Sequence, residues 1–267
     1  MDPLFYIFAC FSLERILGMS GTINDAIVGA VVGNILGTDR WLICRDESKE
    51  TLNDDIQVYM EKSMTLNTMS KIIRSIKQYD GFWINDISSK IKTIDGLCSG
   101  SENCYVTPND GSVLCWIYLA AFSDIFVEHD YSLDFTISSI CKVTHADDDT
   151  VNLCIEYCHL IHDIFCNHMD QEGILQFLPE LDILAGDVPI YRDAKSTFFA
   201  GLWAFVHATS YENALYNCAE LDHGRGFTNW IPTVAGTLAG LYFGSDSIPQ
   251  HLMKDFKIDD YLNSLTF

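Results

Sequence analysis

The chain is 267 residues long and 48% hydrophobic, enough to bury a sizeable core within one globular domain. Its 16 basic and 37 acidic residues give a net charge of −21, which repels phosphate backbones and anionic lipid surfaces and excludes nucleic acid and membrane surfaces as natural partners.

In chain order, the first feature is the apolar run from Leu4 to Leu13. It follows Asp2 without a preceding basic residue, which argues against a secretory leader and for an N-terminal extension over residues 1–22, ahead of one domain over residues 23–267. Ten cysteines sit mostly in apolar helical patterns, as Cys115, Cys141, Cys154 and Cys218 do, so they read as reduced core residues of a cytoplasmic protein.

Next comes Ala26 to Leu36, an apolar helix carrying Gly29 and Gly33, with Gly37 continuing the spacing. The same ladder returns near the far end as Gly236, Gly240 and Gly244, in the helix from Ile231 to Phe243. Each glycine within a helix costs about 1 kcal/mol relative to alanine, and the usual compensation is backbone-to-backbone packing, so the two helices are expected to pack against each other. Both runs fall short of the roughly 20 residues of a membrane span.

Between the ladders, helical periodicity dominates and strand-like alternation is nearly absent. Asn67 is read as the start of a helix over Met69 to Tyr79, whose Lys71, Arg74 and Lys77 form a solvated face. The stretch from Ser112 to Phe126 is helical by spacing. The acidic run Asp147 to Asp149 opens a long helix with Val151, Cys154, Ile155, Cys158, Ile161 and Phe165 on its inner face, and Ser210 opens another over Tyr211 to Leu221. The fold class is therefore all-α, with loops from Ile94 to Gly111 and from Asp222 to Pro232 as the places for a site.

Three groups could carry chemistry. Asn53, Asp54 and Asp55 place two carboxylates at a helix start, where they either complement the dipole or reach an ion beyond it. Thr144 and His145 precede the acidic run, so the imidazole is either a hydrogen-bonded structural group or an anion contact near a helix N-terminus. Cys154, Cys158, His159, His162, Cys166 and His168 read like zinc ligands, but Cys154 and Cys166 lie about 18 Å apart along a helix while zinc holds its ligands within about 2.3 Å. Core packing is the better reading of those cysteines.

Taken in order, Asp25 to Gly37 (DAIVGAVVGNILG), Asp54 with Asp55, Thr144 with His145, and Thr233 to Gly244 (TVAGTLAGLYFG), followed by Ile248 and Pro249, resemble the ADP-ribosylglycohydrolase family (dinitrogenase reductase-activating glycohydrolase-like). The resemblance runs from about Asn24 to Ile248. It implies a single helical domain that uses two Mg2+ ions to remove ADP-ribose from modified side chains or related esters. It also implies that Asp54 and Asp55 hold metal or orient water, that Asn229 can offer a carbonyl oxygen to metal, and that His145, Gly100 and Ser101 contact ADP-ribose, the last two through backbone N–H groups.

The chain departs from the family pattern at its acids. Asn34 stands where the family has aspartate after glycine, and Trp41 about where a glutamate follows. Phe227, Thr228, Asn229 and Trp230 replace the family's Asp-Thr-Asp-Thr, and Tyr105 replaces the arginine of the glycine-rich stretch, which corresponds to Ser99 to Pro108. Asp222 and His223 are either a relocated ligand pair or solvated surface. Two Mg2+ ions bring four positive charges, and two carboxylates are poor compensation for them. The expectation is a divergent pseudoenzyme that still binds ADP-ribose or an ADP-ribosylated protein. The alternatives are a structural protein, as with lens crystallins that resemble the same family, and an active Mg2+-dependent hydrolase.

Overall fold

The structure is a computed structural model that describes residues 22–36, 63–94, 107–126, 131–222, 229–250 and 258–263, with Met253 and Leu265. No strand occurs among the described residues, and the architecture is helical as the spacing predicts.

Helix α1 (Ile23–Leu36) begins with a reciprocal cap: Asp25 N donates to Thr22 Oγ1, and Thr22 N donates to Asp25 Oδ2. It packs along α11 (Trp230–Phe243), the most extensive helix pairing among the described residues. A Cβ on Gly29 would land on the Gly236 carbonyl oxygen and 2.9 Å from the Gly240 Cα, and one on Gly33 would land on the Pro232 carbonyl. The reverse holds for Gly236 against Gly29 and for Gly240 against Asp25. Backbone therefore meets backbone, as the ladders require.

Gly244 corrects that pattern. It makes no close packing contact and instead ends α11 with a positive φ of 81°, a backbone state that glycine adopts without Cβ strain. Gly37 lies outside the described residues. Asp25 also clasps the far end of α11: its Oδ1 accepts from Ser245 N at 2.8 Å and from the Ser245 hydroxyl. Burial alone would raise the Asp25 pKa, but the hydrogen bonds from Ser245 and Thr22 outweigh it and hold the carboxyl below its ordinary value.

Helix α2 (Met64–Tyr79) starts earlier than Asn67. Ser63 is its N-cap, accepting from Leu66 N at 3.3 Å, and Asn67 N already donates to the Ser63 carbonyl. The inner face buries Leu66, Met69, Ile72, Ile73 and Ile76, while Arg74 and Lys77 are exposed and half-buried Lys71 donates to Thr93 Oγ1. Helix α3 (Ile84–Lys92) follows, anchored by Ile87 and Ile91.

The Gly111–Phe126 segment is not one helix. It alternates short 3-10 turns with α4 (Leu114–Ile117) and α5 (Ser123–Phe126). Every residue from Gly111 to Ser123 is buried, so no solvent face imposes a 3.6-residue period there. Helix α6 (Leu133–Cys141) is capped by Ser132, and α7 (Asp148–Asn167) by Asp147, whose carboxylate accepts from Thr150 N at 2.9 Å.

Then follow α8 (Gln171–Phe177), α9 (Ala194–Val206), α10 (Tyr211–Asp222), α11 and α12 (Ile258–Asn263). Ser210 caps α10 as predicted, accepting from Asn213 N. Helix α11 begins at Trp230, inside the loop expected from Asp222 to Pro232, and residues 223–228 lie outside the described ones. Among the described residues, no helix is long and apolar enough to cross a membrane.

Candidate functional site

Two buried polar clusters lie where the sequence points. The first joins α1, α2 and α11. Asn34 is fully buried, and its amide nitrogen donates to Thr233 Oγ1 at 2.8 Å and to Thr65 Oγ1 at 3.2 Å. Thr233 Oγ1 in turn donates to the Asn229 carbonyl at 2.6 Å. A hydroxyl has one hydrogen, and with it committed to Asn229 the group facing Asn34 must be met by a donor. That turns the amide nitrogen toward Thr233, while the Asn34 carbonyl oxygen faces the Thr65 hydroxyl, which donates to it at 3.5 Å.

The second cluster is built on the turn from Thr107 to Ser112. Asp110 caps that turn, accepting from Thr107 N at 2.8 Å and Ser112 N at 2.9 Å, and Ala194 N donates to the Asn109 carbonyl to tie the turn to α9. Gly111 lies directly on Thr197 of α9, with no room for a Cβ. His145 is fully buried. Its Nε2 is 3.2 Å from Asp110 Oδ1, and its Nδ1 is 2.7 Å from Thr144 Oγ1.

Burial would raise the Asp110 pKa, but hydrogen bonds from His145 and Ser112 and the His145 charge prevail and keep it below the ordinary range. Around the same turn, Trp116 Nε1 and Thr197 Oγ1 are buried polar atoms with no protein partner. Trp116 approaches His145 with ring centroids 6.5 Å apart.

Cys115 stands between the clusters. Burial above all, with the Asp110 charge, pushes its thiol far above the ordinary range, against the opposing effect of a hydrogen bond with Thr233. The fold thus brings Asn34, Asn229 and His145, which are far apart in sequence, into one region of the core. Of the two parts open to His145, a hydrogen-bonded structural group or an anion contact, the described contacts are of the first kind: both ring nitrogens face protein groups, and the imidazole holds Asp110 and its turn.

Asp54, Asp55, Gly100 and Ser101 lie outside the described residues, as do Trp41, Tyr105, Phe227, Thr228 and His223. Of the implied metal ligands, Asn229 alone is described. It sits half-buried at the N-terminus of α11, its carbonyl accepting from both Thr233 N and Thr233 Oγ1. Hard cations favour anionic oxygen ligands, and Asn34 supplies a neutral amide whose nitrogen donates to Thr233 and whose oxygen accepts from Thr65. The described positions, Asn34 and Asn229, thus supply no carboxylate for Mg2+, and among the described residues no three His, Cys, Asp or Glu side chains form a metal-holding group.

The cysteines and histidines of α7 diverge. Cys154 and Cys158 face the core, whereas His159 pairs with Asp134 and His162 with Asp124 on the surface. Cys166 is exposed, which corrects its reading as core. Asp110 was missed from sequence, although Pro108-Asn109-Asp110-Gly111 is a turn signal with a capping aspartate in it.

The sequence matches no protein-family profile and no curated protein. A solved structure described as an ADP-ribosylglycohydrolase-related protein complex superposes with a TM-score of 0.62 at 17% identity, over 95% of this chain and 96% of that one. The chain has the all-α ADP-ribosylglycohydrolase-like fold. At that identity the likeness carries the fold and not the activity.

Proposed function

We propose that this chain is a divergent ADP-ribosylglycohydrolase-like protein that binds ADP-ribose or an ADP-ribosylated protein without two-magnesium hydrolysis. The observation that carries the reading is the Asn34 amide, which donates where the family resemblance places a metal-binding carboxylate. A neutral hydrogen-bonded cluster then joins α1, α2 and α11 in place of a cation. Retained binding is supported by the second cluster, where Trp116 and Thr197 keep unpartnered polar atoms beside the Asp110 turn. In this reading His145 is a positioning residue: it fixes Asp110, which shapes the turn bordering the stretch that contains Gly100 and Ser101.

One observation favours the second reading, a structural protein without a ligand. The His145 ring has no exposure and both its nitrogens are engaged.

The deciding experiment is calorimetric titration of ADP-ribose with and without Mg2+. Saturable binding indifferent to Mg2+ is expected. Binding that strengthens with Mg2+, accompanied by turnover of an ADP-ribosylated acceptor, would restore the active hydrolase and overturn the proposal. No binding in either buffer would establish the structural reading.

A further inference from the structure

Helices α3 and α6 pack side by side, and between them opens a groove of about 690 Å3. That is within the roughly 300–1,000 Å3 typical of small-ligand pockets. Buried Phe82 forms part of its floor, with Ile84 and Val143. Its rim carries Trp83, Tyr131 and Phe135, which are 51%, 58% and 50% exposed. Tyr131 and Phe135 stack with centroids 4.9 Å apart and planes inclined by 20°, and Tyr79 leans on Trp83 at 5.9 Å. Half-exposed aromatic rings gathered at one place mark a surface kept for a partner with a flat apolar face.

The charge of the groove is opposite to that of the chain. Lys92 and Lys142 line it, and no Asp or Glu does among the described residues. Two nearby acids have other partners: Asp86 is held by Ser75 and Lys90, and Asp134 by His159. Asp148 reaches Lys142 only at 4.0 Å, with both side chains largely exposed. In a protein of net charge −21, an anion is repelled from most of the surface and drawn to such a place.

We propose that the groove binds a planar aromatic anion of the nucleotide class. Its ring stacks on the Trp83 or Tyr131 face, and its phosphates lie between the Lys92 and Lys142 ammonium groups. None of the groove residues belongs to the Asn34 or His145 clusters, so this site stands independently of the glycohydrolase-like one.

The test titrates ADP into the full chain in EDTA, reading tryptophan fluorescence and calorimetric heat. ADP is expected to saturate with quenching, and Trp83→Ala to remove most of that quench. Adenosine and inorganic phosphate should each bind at least about tenfold more weakly than ADP, since each offers only one of the two contacts. The double variant Lys92→Glu, Lys142→Glu, both at exposed positions, should weaken ADP by at least about tenfold while its far-ultraviolet circular dichroism is unchanged. Absent saturation, or an ADP affinity untouched by the charge reversal, would overturn the groove. ADP-ribose binding that persists in the double variant would belong to the other site, so either proposal can fail alone.

Discussion

The Tyr211 hydroxyl of α10 donates to the Gly29 carbonyl of α1, 2.8 Å away and buried. The same oxygen lies 3.1 Å from where a Cβ on Gly236 would stand, so a phenol from a third helix seals the glycine seam. Burial above all, with the Cys218 thiol, pushes the phenol well above its ordinary pKa against the opposing Gly33 backbone hydrogen bond, so it stays protonated as a donor to Gly29. Tyr211→Phe keeps the ring packing and removes this one bond, so it should cost about 1 kcal/mol in urea unfolding. Unchanged stability would show that the bond is dispensable.

Gly29→Ala should be far more damaging than its single methyl suggests. The new Cβ would collide with the backbone of α11 at Gly236 and Gly240, which cannot rotate away as a side chain can. A loss of about 3 kcal/mol or failure to accumulate folded protein is expected. Gly186→Ala is the matched control, because a Cβ there meets nothing within 4 Å. It should lie within about 0.5 kcal/mol of the parent. Equal effects would mean that the seam tolerates expansion.

Acid should unfold the protein partly through Asp25 and Asp110. Both carboxyls have folded-state values below the ordinary one, so each contributes stability that is complete above the unfolded value and is lost as pH falls through the folded one. The loss therefore belongs to the region below about pH 4. Asp25→Asn should lower stability at neutral pH and flatten the acid limb relative to the parent. Parallel pH profiles for the two proteins would refute the role of the Asp25 clasp.

Much of this was readable from spacing alone. Glycines every four residues in two apolar runs announce a backbone seam, because no other packing compensates for them so directly. The end of α11 at Gly244 was not distinguishable from that ladder, since a C-cap glycine and a packing glycine share one letter. The start of α2 was misplaced because Ser63 and Asn67 are both good capping residues, and it is the Ser63 hydroxyl that accepts from Leu66 N. His145 was visible and its partner was not: Asp110 lies 35 residues earlier, and only tertiary packing joins them. The groove was invisible for the same reason, with its lining divided between residues 82–92 and 131–143.

Asn34→Asp separates a neutral core cluster from a dormant metal site. The buried amide now donates to Thr233 and Thr65, and a carboxylate there could only accept. Thr233 would have to turn its hydrogen away from the Asn229 carbonyl, and an anion would be held without exposure to water. A loss of about 2 kcal/mol or more is expected, partly relieved as pH falls and the new carboxyl is protonated. Melting the variant with and without Mg2+ gives the decisive reading. If the neutral cluster has replaced the metal, Mg2+ leaves the melting temperature where it is. A rise in the variant that the parent does not show would mean that one restored acid, with oxygens already present, rebuilds a cation site, and would overturn the neutral cluster as a replacement for metal.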